Sequence, residues 1–220
     1  KLPYKSAQLF LKVALSECFR LVSYQRNGEF KLYRIKEEDR VDFYEPLFTK
    51  LKERINRNFL GVTNFSEKVH MSTKTKIKDF NTVVTSGRKY FQLPIGSLDL
   101  VVTSPPYGDS STTVAYAQFS WLSNVLLGLD KNSPSTLDSD LMGGRNKLMK
   151  PLACYRILNY EPIKDAFENI LEKDEKRALE VLQFYYDYYL SINNVASEIK
   201  KGGHVCYVVG NRIVKNVKLP

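Results

Sequence analysis

The chain has 220 residues, of which 43% are hydrophobic and 26% are charged. These proportions are typical of a globular protein and exclude a disordered, collagenous or coiled-coil chain, and the apolar runs are too short to span a membrane. The 33 basic and 24 acidic side chains leave a net charge of +9. That excess is either a solubility charge or a sign of a polyanionic partner.

Residues 1–65 are predicted to form a mainly helical N-terminal region. Residues 7–23 carry apolar side chains at every fourth position, which predicts a helix. Residues 29–35 alternate in polarity, as a short strand does, and a second helix is expected from about 46 to 57. Because residues 66–80 are polar and rich in lysine, we expect a surface loop there.

A buried strand is predicted at Leu98–Thr103, a compact apolar run between Gly-Ser and Pro-Pro. Apolar residues that share one helical face follow it, and Gly128 can end that helix. The helical face consists of Ala115, Phe119, Leu122 and Leu126. We expect the strand to be buried on both faces, as in a parallel sheet.

The remainder of the chain is predicted to contain an insertion, a helix and a second buried strand. Residues 130–162 are rich in Asn, Ser, Asp, Gly and Pro and are longer than an ordinary connection. Residues 163–200 carry a long apolar stripe that predicts a helix, and residues 204–211 predict another buried strand. The order strand, helix, strand implies a βαβ crossover and an α/β fold with helices on both faces of a parallel sheet.

Two sets of reactive side chains are expected to be structural. The cysteines Cys18, Cys154 and Cys206 are far apart, which fits a reducing compartment and neither a disulfide framework nor a zinc site. Four tyrosines between residues 185 and 189 could form a stacking platform for single strands, but their helical spacing favours core packing.

A small rigid cup is predicted where the first strand ends, in the run Thr103-Ser104-Pro105-Pro106-Tyr107. Ligands of open α/β sheets bind outside the carboxyl ends of the strands. The two prolines fix the backbone, and their carbonyls can act only as acceptors. Ser104 Oγ and the Pro105 carbonyl could accept both N–H bonds of an exocyclic amine, and Tyr107 could stack on its ring. A base within a duplex would have to be flipped out to reach this cup.

The segment DLVVTSPPYG (99–108) resembles motif IV of the amino-methylating DNA methyltransferases. Its S-P-P-Y form resembles the N4-cytosine enzymes of restriction–modification systems, whereas the N6-adenine enzymes more often carry D-P-P-Y. KKGGHVCYVVGNR (200–212) is similar to the next strand of that catalytic domain, so residues 66–220 would be the methyltransferase core. The resemblance covers residues 81–212 well and the first 60 poorly.

This resemblance implies a Rossmann-like sheet, S-adenosylmethionine as the methyl donor and double-stranded DNA as the partner. It implies a prokaryotic, cytoplasmic enzyme with a cognate restriction endonuclease in the same system, and it requires no metal. By position, Ser104 and Pro105 correspond to the amino-group acceptors, Pro106 to the rigidifying proline and Tyr107 to the stacking aromatic. Methyl transfer would be a direct in-line displacement in which positioning supplies most of the rate.

The residues that contact cofactor and DNA are assigned by position in the chain. Thr103 and Ser86 are the candidates for contacts with the cofactor, and Ser86 stands where many relatives have an acidic residue. The phosphate contacts are expected from basic residues near the motif, which position the protein without reading sequence. These residues are Lys74, Lys76, Lys78 and Arg145.

The chain departs from the family in one respect, because the glycine-rich cofactor loop is absent. A cofactor loop of this kind follows a strand and opens a helix. Neither Gly143-Gly144 nor Gly202-Gly203 has that position. We therefore expect an incomplete chain, with that loop upstream or downstream. Two alternatives stay open: an enzyme of the same fold that methylates adenine N6 or an amine of RNA or protein, and a catalytically incomplete DNA-binding fragment.

Overall fold

The computed structural model describes residues 4–26, 33–107, 116–129, 142 and 151–220. Everything stated below about structure concerns these residues. Most of the predicted insertion at 130–162 lies outside them, and so does Arg145. None of the helices in the described ranges is long and apolar enough to cross a membrane.

The described elements alternate between helices and short strands. The helices are α1 (Lys5–Leu21), α2 (Leu47–Lys68), α3 (Arg88–Phe91), α4 (Tyr116–Leu126), α5 (Pro151–Cys154), α6 (Glu161–Leu171) and α7 (Glu175–Ala196). The strands are β1 (Leu98–Thr103), β2 (Ile199–Tyr207), β3 (Ile213–Val214) and β4 (Val217–Lys218). Two 3₁₀ turns occupy Glu38–Arg40 and Tyr155–Asn159.

The chain divides into two compact units. The first unit comprises residues 1–75 and 115–135, and the second comprises residues 76–114 and 136–220. The helix that follows β1 in the chain, α4, therefore groups with α1 and α2 and not with the sheet.

The first unit is helical, as predicted. α1 lies within two residues of its predicted limits and buries Ala14 and Cys18. α2 extends to Lys68, eleven residues beyond its predicted end, because residues 58–68 contain no proline and one glycine does not stop a helix. The predicted strand at 29–35 lies partly outside the described residues, and an isolated bridge joins Gln25 to Arg34.

The second unit contains the predicted parallel pair. β1 has the predicted limits and pairs with β2 in parallel, with Leu100 opposite His204 and Thr103 opposite Tyr207. The register shifts between Leu98 and Leu100, beside Gly202, whose φ of 81° suits an irregular strand. The parallel pairing of the two predicted strands is therefore confirmed.

The predicted helix at 163–200 is wrong in its limits. It consists of α6 and α7, because the Asp174 side chain accepts a hydrogen bond from the Arg177 backbone N–H at 3.0 Å and caps a new helix. α7 ends at Ala196, and β2 begins at Ile199, five residues before the predicted strand. Lys200 and Lys201 thus belong to the strand and not to the end of a helix.

The expectation that β1 is buried on both faces is also wrong for the described residues. Leu100 is 58% exposed and Val102 is 65% exposed, and in the described part of the chain β1 pairs with β2 alone. The described residues thus have a small parallel sheet compatible with an α/β fold. The Rossmann-like sheet with helices on both faces stays a prediction.

The hydrophobic core of the second unit lies between α6, α7 and the β3–β4 hairpin. Its central side chains include Phe167, Ile170, Leu182, Val214 and Leu219. A buried polar chain runs beside them. The Cys154 thiol donates to Gln183 Oε1 at 3.1 Å, and Gln183 Nε2 donates to Asp187 Oδ1 at 2.8 Å.

The expected structural role of the cysteines is confirmed for two of the three. Cys18 and Cys154 are buried, and burial raises the pKa of both thiols, so they stay protonated. Cys206 is exposed on β2. Among the tyrosines, Tyr185 is partly buried against the core, as predicted, whereas Tyr189 is largely exposed.

Candidate functional site

The Ser104–Tyr107 loop, hereafter the SPPY loop, leaves the sheet at a fixed point. Beyond the last residue of β2, the Val208 N–H donates to the Thr103 carbonyl at 2.9 Å, which continues the parallel ladder by one bond. Both strands therefore hold the start of the loop at their carboxyl ends, where open α/β sheets bind ligands.

The Ser104 hydroxyl contacts two partners. Its Oγ lies 3.3 Å from the Val208 carbonyl, to which it donates, and 2.9 Å from the Tyr107 hydroxyl. A serine hydroxyl has one proton and two lone pairs. Since the proton is directed at Val208, Tyr107 is the donor in the second bond. One lone pair on Ser104 Oγ is left for a further donor, and the side chain is exposed.

The Tyr107 ring rests on the backbone of Gly210. A Cβ atom at Gly210 would lie 2.9 Å from Tyr107 Cδ2 and 3.1 Å from Cε2, which is closer than packed atoms approach. The residue at this position must therefore lack a side chain if the ring is to keep its place. Neither Gly210 nor Val208 was identified from the sequence, because only the pairing of β1 with β2 brings them to the loop.

Aromatic and proline side chains line a narrow cavity behind the SPPY loop. The cavity measures about 50 Å³, and its wall includes Pro105, Pro106 and Tyr107 from the loop and Tyr185 and Tyr188 from α7. Burial raises the pKa of Tyr185 to about 12, with Tyr188 as a smaller cause. Both tyrosines are neutral at ordinary pH, so they support the loop as apolar rings and not as charges.

The candidates for cofactor contact lie apart from this cavity. Thr103 ends β1 and is exposed, and Ser86 Oγ accepts a hydrogen bond from the Arg88 N–H at 3.4 Å. Neither residue lines the cavity behind the loop. The chain just before Ser86 is fixed to α7, because Asn194 Nδ2 donates to the Thr82 carbonyl at 2.8 Å.

The described residues around the SPPY loop do not fit S-adenosylmethionine. A cavity of about 50 Å³ has room for about two water molecules. Sites for molecules of cofactor size measure roughly 300–1,000 Å³. The loop and its supports therefore do not form the cofactor's binding site by themselves.

The candidate DNA contacts are accessible. Lys74, Lys76 and Lys78 lie on an exposed stretch without regular secondary structure, and Lys76 Nζ donates to the Phe91 carbonyl at 3.4 Å. Arg145 lies outside the described residues. Within the described ranges, no three His, Cys, Asp or Glu side chains group so as to hold a metal ion.

The described residues thus have a small parallel sheet compatible with an α/β fold, and the SPPY loop lies at the carboxyl ends of its two strands. The chain is 39% identical over 222 residues to the Type II methyltransferase M.MvaI of Kocuria varians. The match covers 96% of the chain and 47% of that protein, so the chain spans about half the length of this relative. No family model matches the chain, and no solved structure does.

This similarity supports the resemblance to methyltransferases found in the sequence. It also extends the resemblance to the N-terminal 60 residues, because the match covers almost the whole chain. The name of the relative gives the class of transferase and not the base that is methylated.

Proposed function

We propose that the chain carries the base-binding side of a Type II DNA methyltransferase. The reaction would transfer a methyl group to the exocyclic amine of a flipped-out base, with cytosine N4 as the acceptor. S-adenosylmethionine would be the donor, held mainly by residues outside the described set. The observation that carries the proposal is the Ser104 hydroxyl, which donates to the Val208 carbonyl and keeps a lone pair free at the carboxyl end of β1.

The chemistry follows from the free lone pair. The nitrogen of an amino group on a base is a poor nucleophile, because its lone pair is delocalised into the ring. Ser104 Oγ and the Pro105 carbonyl would accept its two N–H bonds, which favours a pyramidal nitrogen with a localised lone pair. Because the Val208 carbonyl orients the Ser104 proton, Ser104 meets the amine as an acceptor without prior reorganisation.

Tyr107 would bind the face of the flipped base. Its ring is fixed on one side by Gly210, and its hydroxyl donates to Ser104 Oγ at 2.9 Å. A base stacked on such a ring gains about 1–3 kcal/mol, which offsets part of the cost of unstacking it from the duplex. The ring and the acceptors are thus linked by one hydrogen bond.

Serine at position 104 supports cytosine N4 over adenine N6 as the acceptor, through the S-P-P-Y form of the loop. Double-stranded DNA would be contacted at its phosphates by the exposed Lys74, Lys76 and Lys78, with Arg145 as a further contact. A restriction endonuclease of the same system would be the functional partner.

The proposal is tested by expressing the complete gene in a bacterial host that lacks N4-methylcytosine. Genomic DNA is digested to nucleosides and analysed by mass spectrometry. We expect N4-methyldeoxycytidine with the unaltered gene and a loss of about 100-fold with Ser104→Ala, the scale for removing one oriented hydrogen-bond partner. Tyr107→Ala should reduce the product by at least about tenfold, through lost stacking.

Ser197→Ala is the matched control, because Ser197 is exposed and its hydroxyl also donates to a backbone carbonyl, that of Asn194 at 2.8 Å. This variant should methylate normally. Methylation that survives both loop substitutions contradicts the proposed site. Appearance of N6-methyldeoxyadenosine keeps the reaction class but replaces cytosine by adenine.

A further inference from the structure

A second cavity lies within the first unit, between α1 and α4. It measures about 360 Å³, which falls in the range of sites for small molecules. Its lining residues come from the C-terminal half of α1 and from α4: Ser16, Glu17, Arg20, Leu21, Phe119, Ser120, Ser123 and Asn124. Nothing in the resemblance to methyltransferases assigns a role to it.

Arg20 is the unusual residue of this cavity. It is only 7% exposed, and its guanidinium carbon lies 4.0 Å from the centre of the Phe119 ring. One terminal nitrogen, Nη2, lies 3.5 Å from the Arg26 carbonyl, whereas Nη1 has no hydrogen-bond partner among the residues that the structure describes. Burial lowers the pKa of Arg20. Because a guanidinium stays charged in proteins, Arg20 is a buried cation, and Nη1 itself has almost no accessible surface.

The neighbouring carboxylate does not neutralise Arg20. Glu17 also lines the cavity, but Arg57 Nη1 donates to its Oε1 at 3.0 Å and Arg54 Nε lies 3.3 Å from the same oxygen. Glu17 is thus engaged by two arginines of α2, and no ion pair of Arg20 is found among the described residues. A buried cation without a counter-charge is costly, so an anion that binds there is stabilised strongly.

Polar groups on α4 complement the charge. Ser120 Oγ donates to the Tyr116 carbonyl at 3.0 Å and retains its lone pairs, and Asn124 contributes a side-chain amide to the wall. An amide N–H can donate to an anion, and the hydroxyl oxygens can accept from a sugar. The volume exceeds that of an isolated oxyanion, so it suits an anion with an organic substituent.

We propose that this cavity binds an organic phosphate, with Arg20 as the anion-binding residue. The planar donor fork of arginine matches the oxygens of a phosphate group, and its stacking on Phe119 fixes its orientation before binding. The phosphate would come either from the backbone of a nucleic acid or from a free nucleotide. The site does not depend on methyl transfer, so the proposal stands or falls apart from the function proposed above.

The test compares Arg20→Met with Arg40→Met in the full chain. Arg40 is the matched control, because it also lies over an aromatic ring, Tyr24 at 5.8 Å, and its Nε donates to the Ile35 carbonyl at 3.2 Å, but it does not line the cavity. Binding of a fluorescent 20-base-pair duplex is measured by anisotropy at several salt concentrations. Binding of AMP and of adenosine is measured by calorimetry.

The two binding measurements distinguish a phosphate of the nucleic-acid backbone from that of a free nucleotide. A backbone site predicts that Arg20→Met weakens the duplex about tenfold and reduces the slope of log affinity against log salt by about 1. A nucleotide site predicts that AMP binds at least about tenfold more tightly than adenosine, and that Arg20→Met removes this preference. Arg40→Met should change neither. Unchanged binding of both ligands by Arg20→Met overturns the proposal, as does an equal loss in Arg40→Met.

If Arg20→Met does not fold, the unaltered protein decides the question. A ligand that binds the native state raises the Tm, by an amount that grows with the logarithm of the ligand concentration above its Kd. AMP, or the duplex, should raise the Tm more than equal concentrations of adenosine or of sodium chloride. Equal effects of all these additions overturn the proposal without use of a variant.

Discussion

Two helices of equal length behave in opposite ways. α2 and α7 each have 22 residues, but α7 buries eight of its side chains and α2 buries none. α2 instead exposes large apolar residues, namely Phe48, Phe59, Leu60, Val62 and Phe65. Apolar content therefore does not locate the core of this chain. What distinguishes α7 is the set of elements packed around it.

α7 is also the helix that supports the SPPY loop. Its Tyr185 and Tyr188 line the cavity behind the loop, and the Tyr188 ring lies 5.8 Å from that of Tyr207 at the end of β2. Asn194 fixes the chain at Thr82. Among the described residues, the ion pairs of α2 reach α1 through Glu17. Substitutions in α7 should therefore affect both stability and the site, whereas substitutions of exposed residues in α2 should leave the site unchanged and alter stability only slightly.

The largest expected effect is on the free energy of unfolding, and it is tested by comparing one leucine substitution on α7 with one on α2. Leu182→Ala on α7 should lower the free energy of unfolding by about 2–5 kcal/mol, because Leu182 is only 2% exposed and leaves a cavity. Leu60→Ala on α2 should change it by less than about 0.5 kcal/mol, because Leu60 is 60% exposed. Urea unfolding measures both. Equal losses would mean that α2 is packed as α7 is.

A smaller effect, on methylation, is expected when Gly210 behind the Tyr107 ring is replaced by alanine. Gly210→Ala should displace the Tyr107 ring and lower methylation from the complete gene by about tenfold, since a shift of the catalytic geometry by about 1 Å is costly. Gly61→Ala on α2 is the matched control, because nothing lies within 4 Å of a Cβ there. It should leave methylation unchanged and stabilise the helix by up to about 1 kcal/mol. Normal methylation by Gly210→Ala would remove the support assigned to Tyr107.

The smallest effect is a pH dependence carried by α7. The folded chain raises the pKa of Tyr185 from 10.0 to about 12, mainly through burial. The native state thus holds the phenolic proton more tightly than the unfolded chain does. This contribution to stability is complete below pH 10 and is lost as the pH rises toward about 12.

Tyr185→Phe tests that dependence. It removes the hydrogen bond that the hydroxyl donates to the Pro220 carbonyl at 2.9 Å, so it should cost up to about 1 kcal/mol near neutral pH. Between pH 10 and 12 the unaltered protein should lose stability more steeply than the variant. Tyr44→Phe, at an exposed tyrosine just before α2, should leave the curve unchanged. Parallel curves for Tyr185→Phe and the unaltered chain would contradict the assignment.

The sequence predicted elements whose ends are marked by local chemistry. Leu98–Thr103 was located to the residue, because Gly-Ser precedes it and Pro-Pro follows it. Gly128 ends α4 with a φ of 69°, a conformation that glycine adopts readily. The start of β2 was missed, because Ile199 to Gly203 look like the end of a helix. Their pairing with β1, about 100 residues earlier, decides their conformation.

In the candidate site, too, the sequence predicted the residues that are neighbours in the chain and missed those that only the fold brings together. Ser104 to Tyr107 could be proposed as a site from the sequence, because all its groups are adjacent in the chain. Val208 and Gly210 could not, because a carbonyl and a missing side chain leave no mark in a sequence. Arg20 was read as part of an ordinary helix, since its burial depends on α4, which lies about 100 residues further along.

The bond from Ser104 to the Val208 carbonyl has a consequence for the engineering of base preference. An ionised aspartate at position 104 has no proton to donate, and its carboxylate would face that carbonyl, acceptor against acceptor. The D-P-P-Y form cannot therefore replace the S-P-P-Y form in this chain by one substitution without a cost. If the proposed site binds the amine, its specificity depends jointly on the tetrapeptide and on the backbone of the neighbouring strand, so a redesign has to exchange both.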